Sequence, residues 1–199
     1  MTIEFQPGEP ENGRALAAAG VERLLLQNGE ALGPGLRVAR PHRSFTCSIA
    51  DAADDVVAHA AFAAWRYLVF RGEDCVATAR VKQRPGEQTA ILSSIVFGGD
   101  FSVQLADLDW LVVQAGVEQA DFELRFLRVR GLWVAAWWLS RGAGGAGDLF
   151  VPVPPSQQAL RPQQHTLYRG AEQFSPAVRK VARQKQDAAA VLFAGIPGQ

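Results

Sequence analysis

Three glycines in the stretch WWLSRGAGGAGDLFVPVPP, residues 137–155, stand at the spacing G-x-G-x-x-G: Gly142, Gly144 and Gly147. A loop of this kind can cradle a pyrophosphate, because glycine lets the backbone approach the ligand and a helix starting behind it offers its free amides. The helix is indispensable to that chemistry. The residues after Gly147 are DLFVPVPP, with Pro152, Pro154 and Pro155, and a helix interior does not tolerate proline. The glycines therefore read as a polar hairpin loop between two strands, and no cofactor is assigned to them.

Metal, acid–base and nucleophile chemistry find no clearer footing. His42, His59 and His165 are isolated, without the spacing that sets two imidazoles on one helix face, so no metal site is expected. Cys47 and Cys75 are too few for a disulfide scaffold or a thiolate zinc site. Each sits in an apolar alternating run, where cysteine behaves as a small hydrophobe. Ser93-Ser94 lacks the glycine flanks of a nucleophile elbow and reads as a pair of buried strand serines. Asp51 stands where a helix N-cap is needed, with Asp54 and Asp55 placed against the positive end of the helix dipole. Asp107 and Asp109, two apart on a helix, diverge. No catalytic residue is assigned, and the chain leans away from being an enzyme.

Surfaces offer more. From 161 to 187 the six cations Arg161, Arg169, Arg179, Lys180, Arg183 and Lys185 oppose Glu172 and Asp187, a net of +4. Residues 1–30 carry five acids against Arg14 and Arg23, a net of −3. A second basic group, Arg37, Arg40, His42 and Arg43, precedes Phe45. Basic runs bind nucleic acid by neutralising phosphates, but no aromatic side chains interleave these positions to stack bases. A solvated face ranks first, a protein contact second, nucleic acid third. Trp133, Trp137 and Trp138, with Arg179, Lys180, Arg183 and Lys185, make the candidate interaction surface.

The elements that must position these residues emerge from periodicity. A helix is expected over 12–27, opened by Asn12 and weakened by Gly20, with Leu16, Ala19, Leu24 and Leu26 as its apolar face. SFTCSI at 44–49 alternates as a short strand does. A helix over 51–62 leads into a hairpin, WRYLVFR and CVATARVK around Gly72-Glu73-Asp74, and a third strand at 89–97. A helix over 101–115 precedes strands at 121–130, 132–140 and 148–153. Residues 154–175, rich in Pro, Gln and Ser, read as an arm or linker, and 176–199 as a basic C-terminal helix with Pro176 at its first position.

The fold class is α+β: a mainly antiparallel sheet of about six strands, with residues 1–153 as one globular domain. The repeated order of one helix and three strands invites an internal duplication, 51–97 against 100–153, supported only by FRGEDCVATA against VRGLWVAAW. Strand 132–140 has no polar alternation. It should be covered on both faces, by helices of its own chain or by a second copy.

With 199 residues, 48% hydrophobic and 20% charged, the composition is that of an ordinary globular protein. Twenty cations balance twenty acids, so no global field draws the chain to nucleic acid or anionic lipid. The acidic N-terminus MTIEFQPGEP is no secretory signal, and the longest apolar run is far short of a membrane span, so a cytoplasmic location is expected. The functional expectation is a non-catalytic binding or assembly module, contacting protein or itself as a homodimer. The alternative is an enzyme or small-molecule-binding protein with a tryptophan-lined pocket between sheet and helices.

Overall fold

Alternating apolar, aromatic and β-branched residues build one large sheet in the computed structural model, which describes residues 3–4, 8–30, 35–83, 89–98, 100–117, 121–142 and 147–194. In chain order the elements are β1 (Ile3–Glu4), α1 (Gly13–Gln27), β2 (Arg37–Val38), β3 (His42–Cys47), α2 (Ile49–Ala52), β4 (Ala61–Arg71), β5 (Asp74–Gln83), β6 (Ala90–Phe97), α3 (Phe101–Val117), β7 (Phe122–Val129), β8 (Val134–Ser140), β9 (Leu149–Val153), β10 (Tyr168–Arg169) and α4 (Ala171–Ala194). The sheet runs β10-β9-β8-β7-β3-β4-β5-β6, with β1 added to β7 and β2 to β4. Two antiparallel meanders, β4-β5-β6 and β7-β8-β9, thus flank β3, which pairs antiparallel with β4 and parallel with β7.

The α+β class and mostly antiparallel sheet hold, but the count of about six strands is too low. The strand read only from Phe45, Cys47 and Ile49 is the middle of the sheet, and two-residue β1, β2 and β10 are too short to leave a periodic signal.

Both faces of β8 are covered within the chain. Ala135, Trp137 and Leu139 pack with Leu111 and Ala115 of α3, while Val134, Ala136 and Trp138 pack with Phe174, Val178, Val181 and Ala182 of α4. The four α4 residues recur at a helical spacing, and the Phe174 ring stacks on Phe150 at 4.5 Å. Over β4–β6 the face shared with α4 is covered by α1 instead, through Ala17, Val21 and Leu25. That face is one step round from the expected Leu16, Ala19, Leu24 and Leu26; Leu26 is exposed. Gly20, a weak point for helix propensity, is a packing requirement: a Cβ there would lie 2.3 Å from Leu92 Cδ2.

Three boundaries are corrected. The helix expected over 51–62 is a single turn, Ile49–Ala52, capped by Ser48, whose Oγ accepts from the Asp51 amide; Asp51 lies inside the first turn. The chain then enters β4 at Ala61, where pairing with β3 and β5 overrides the alanine-rich helix propensity. The C-terminal helix begins at Ala171, not 176, and contains Pro176. Pro176 is the sixth residue of this helix, past the opening turn whose amides lack partners, so the helix forgoes the bond that an amide there would make to Glu172 O.

Residues 154–170 are not a loose arm. Leu160 is buried, Ser156 Oγ accepts from the Ala135 amide at 2.9 Å, and Gln157 Nε2 donates to Leu132 O at 3.2 Å. Arg161 reaches the buried Asp107 carboxylate at 3.0 Å, and His165 Nδ1 lies 2.8 Å from the same group without the alignment of a hydrogen bond. The polar composition that suggested a linker supplies these anchors. No helix among the described residues is long and apolar enough to cross a membrane.

Candidate functional site

The glycine-rich segment lies between β8 and β9, which pair antiparallel. Gly142 and Gly147 adopt φ of +109° and +82°, which glycine allows without strain, and the next element is β9 rather than a helix. Gly144 lies outside the described residues. Asp148 turns its carboxylate inward, accepting from Trp138 Nε1 at 2.6 Å and from the Arg141 amide at 2.8 Å. A buried carboxylate is the wrong group to set beside a phosphate.

Cations converge elsewhere, on the sheet face that carries α3. Strand alternation puts His42 and Ser44 of β3, Arg66 of β4, Thr78 and Arg80 of β5, and Phe126 and Arg128 of β7 on this one face. With Phe101 and Gln104 of α3 and Pro154–Pro155 overhead, Ser44, Arg66, Thr78, Arg80, Phe126 and Arg128 enclose a cavity of about 300 Å³. Arg66 and Arg80 are directly cross-strand neighbours.

Arg66 is only 5% exposed. Its Nη2 donates to Gln104 Oε1 at 3.2 Å, its Nη1 lies 3.4 Å from His42 Nε2, and its guanidinium sits 3.9 Å from the Phe126 ring centroid. Burial pushes its pKa down to about 9, and the charges of Arg128 and Arg80 push the same way, yet it stays cationic at neutral pH. Gln104 is the residue that holds the arrangement. Its backbone oxygen accepts from Trp137 Nε1 at 2.7 Å, and its Nε2 donates to Pro154 O at 2.9 Å.

Among the described residues, Arg66, Arg80 and Arg128 have no carboxylate partner. Buried polar atoms are nearly always satisfied, but Ser44 Oγ, on a fully buried residue, and Arg80 Nε have no hydrogen-bond partner. Ring contacts with Phe126 and Trp137 compensate the Arg66 charge only in part.

A second cavity of about 470 Å³ continues from the first, sharing Arg80, Arg128, Ala135 and Pro155 and adding Thr46, Arg130, Trp133 and Lys185. The joint lining holds the cations Arg66, Arg80, Arg128, Arg130 and Lys185 against one acid, Asp100. In a chain of zero net charge this is strong segregation.

His42 is neutral beside them. Arginine can only donate, so Nε2 faces it as the unprotonated acceptor. Burial first, and then the Arg66 charge, hold its pKa well below the usual 6.5. Unfolded chains protonate this imidazole near 6.5, so its stability contribution is full above that pH and declines as pH falls below it. The expected slope is up to about 1.4 kcal/mol per pH unit. Urea titrations of wild type and His42→Gln between pH 7 and about pH 5 should show that slope in the wild type alone. An equal slope in both would place the acid sensitivity elsewhere.

The residues singled out from sequence scatter. Trp137 and Trp138 are buried and cannot serve as an interaction surface; unbroken apolar alternation is the mark of a core strand. Trp133 is not in the strand. It sits in the 131–133 turn at φ +54° and is 67% exposed. Arg179 Nε donates to Asp54 O, Lys185 Nζ to Gly131 O, while Lys180 and Arg183 point to solvent on α4. Of that set only Trp133 and Lys185 line the groove.

Arg43, from the other basic group, pairs with Glu123 on the opposite face. Arg66, Arg80 and Arg128 were missed, and the one available signal was Arg66 as the sole charge in AFAAWRYLVF.

The nucleophile candidates are quiescent. Burial, with Asp51 and Asp55 behind it, pushes the Cys47 thiol up to about 11, and burial raises Cys75 as well. Ser93 Oγ donates to Arg80 O at 3.0 Å, and this serine is exposed rather than buried. Among the described residues no three His, Cys, Asp or Glu side chains group as metal ligands. No family model, curated protein or solved structure matches the chain, so the arginine-lined groove itself carries the functional reading.

Proposed function

We propose that this protein is a non-catalytic binding module that takes a small anionic ligand, through a phosphate or carboxylate group, against Arg66, Arg80 and Arg128 beneath α3. The observation that carries the reading is Arg66. Holding an unpaired guanidinium in a protein interior costs several kcal/mol, and two further arginines beside it raise that cost. An oxyanion seated among them would accept charge-assisted bonds from the guanidinium groups, including the unpartnered Arg80 Nε, and from Ser44 Oγ. The cavity volume lies within the range of small-molecule sites. The tryptophan-lined pocket anticipated as an alternative is, in this reading, arginine-lined, with a single tryptophan at its outer end.

Arg66→Met separates function from structure. A thioether of similar reach removes the buried charge, so the variant without ligand should be as stable as the wild type or more so. Inorganic phosphate, sulfate or citrate at 100 times its Kd should stabilise the wild type by about 2.7 kcal/mol, raising Tm by roughly 5–10 °C. The rise should vanish in Arg66→Met. Sodium chloride at matched ionic strength is the control for screening. A variant destabilised by several kcal/mol, or a wild type indifferent to all three anions, would sink the reading.

A further inference from the structure

We propose that the ligand of the groove is a mononucleotide, with its phosphates at Arg66 and Arg80 and its base stacked on Trp133; this rests on the anion reading above. The two cavities differ in chemistry. The inner one offers buried guanidinium groups, the unpartnered Ser44 hydroxyl and Thr78, a set suited to phosphoryl oxygens. The outer one adds Arg130 and Lys185 to the shared Arg80 and Arg128 and ends on an exposed indole. Between them lie Arg80 and Arg128, which line both. A ligand filling this space meets cations along its length, buried hydroxyls at the inner end and a flat aromatic surface at the outer one.

The presentation of Trp133 supports an aromatic occupant. Gly131 and Trp133 both adopt positive φ, +77° and +54°, in the turn between β7 and β8. For tryptophan this left-handed conformation is strained, and no burial compensates it, since most of the side chain faces solvent. Lys185 Nζ donates to Gly131 O, tying α4 to the same turn, and Arg130 Nη2 donates to Thr46 Oγ1 at 3.3 Å beside it. The turn that carries the indole is therefore tied to α4, and the indole lines the cavity beside cations that complement a phosphate or a ribose hydroxyl.

A single base fits better than a strand. Nucleic-acid single strands are gripped by successive aromatics along a basic track, each stacking one base. Among the described residues Trp133 is the one aromatic that lines the outer cavity. Phe126 and Phe101 lie at the inner end, among the arginines.

The test compares ADP, inorganic pyrophosphate and a five-residue oligothymidylate by calorimetry and tryptophan fluorescence, on the full chain and on Trp133→Ala and Trp133→Phe. Base stacking on an aromatic side chain corresponds to at least about a fivefold gain in affinity. ADP should therefore bind at least about fivefold more tightly than pyrophosphate to the wild type and quench its most exposed tryptophan. Trp133→Ala should erase that advantage while leaving pyrophosphate affinity unchanged. Trp133→Phe should restore much of it. Equal affinities for ADP and pyrophosphate, or an advantage that survives Trp133→Ala, overturn the nucleotide assignment and leave the anion site standing. Tighter binding of the oligothymidylate than of ADP also overturns it, in favour of a polynucleotide. Failure of both ADP and pyrophosphate to bind removes the anion site together with the inference.

Discussion

Trp137→Ala is expected to lower the unfolding free energy by about 3–5 kcal/mol, the range for deleting a large aromatic from a core. The indole is fully buried, stands 4.9 Å from the Phe126 ring and 5.0 Å from the His42 ring, and donates to Gln104 O. It is packed on the face that α3 covers, so its removal opens a void that a rigid sheet and helix cannot collapse into. Single domains of this kind are stable by only about 5–15 kcal/mol, so the loss is a large share of the total. Urea unfolding with an unchanged m-value would measure it. A loss below about 1.5 kcal/mol would mean that β8 and α3 do not meet through this residue. Trp137→Phe, which keeps most of the ring and loses the N–H bond, should cost about 1–2 kcal/mol.

On the opposite face the largest expected effect belongs to Glu123→Gln, about 3 kcal/mol of destabilisation at neutral pH. Glu123 is buried between two guanidinium groups, Arg43 and Arg125, with Arg125 Nη2 at 2.6 Å. Removing one charge of a buried set leaves the others uncompensated, which costs about 3–5 kcal/mol. The lower figure applies because the Arg43 side chain keeps 27% of its exposure.

Burial by itself would raise the Glu123 pKa, but the hydrogen bonds from Arg43 and Arg125 outweigh it and hold the carboxyl below its usual 4.5. A depressed carboxyl contributes stability above the unfolded value and loses it as pH falls through the folded one. The gap between wild type and Glu123→Gln should therefore be full at pH 7 and narrow progressively below about pH 4.5. A gap of constant size down to pH 3 would assign the effect to packing rather than charge.

Strand β8 was legible in the sequence because seven consecutive apolar or small residues leave no solvent face. Its coverage by α3 and α4 obeys the same logic, as does the hairpin about Gly72. The region at 51–62 was not legible. AHAAFAAW has the alanine content of a helix, and only its partners β3 and β5 make its second half a strand.

The groove was hidden for a related reason. Arg66, Arg80 and Arg128 come from three strands, and apart from Arg66 as the sole charge in its apolar run nothing local distinguishes them from solvated arginines; β-sheet register is what makes Arg66 and Arg80 adjacent. By contrast, the contiguous basic residues of α4 catch the eye, yet the helix spends its buried face on Phe150 and Trp138 and sends only Lys185 to the groove. The glycine spacing misdirects in the same way. A motif read along the chain says little until the element after it is known.

The parallel placement of β3 beside β7 has a consequence for the nascent chain. As it leaves the ribosome, β3 can pair with β4 at once, since the two are close in sequence, and the β4-β5-β6 meander can gather α1. The other edge of β3 must wait until β7 has been synthesised, because Arg43 lies beside Arg125. Until then a row of unpaired amides and carbonyls, with Phe45 and Cys47 beside it, is open to any passing strand. Docking of β7 closes a long loop and is the natural slow step of folding. Cells that make this protein at high rates therefore face their greatest aggregation hazard after β6 has emerged and before β7 has docked.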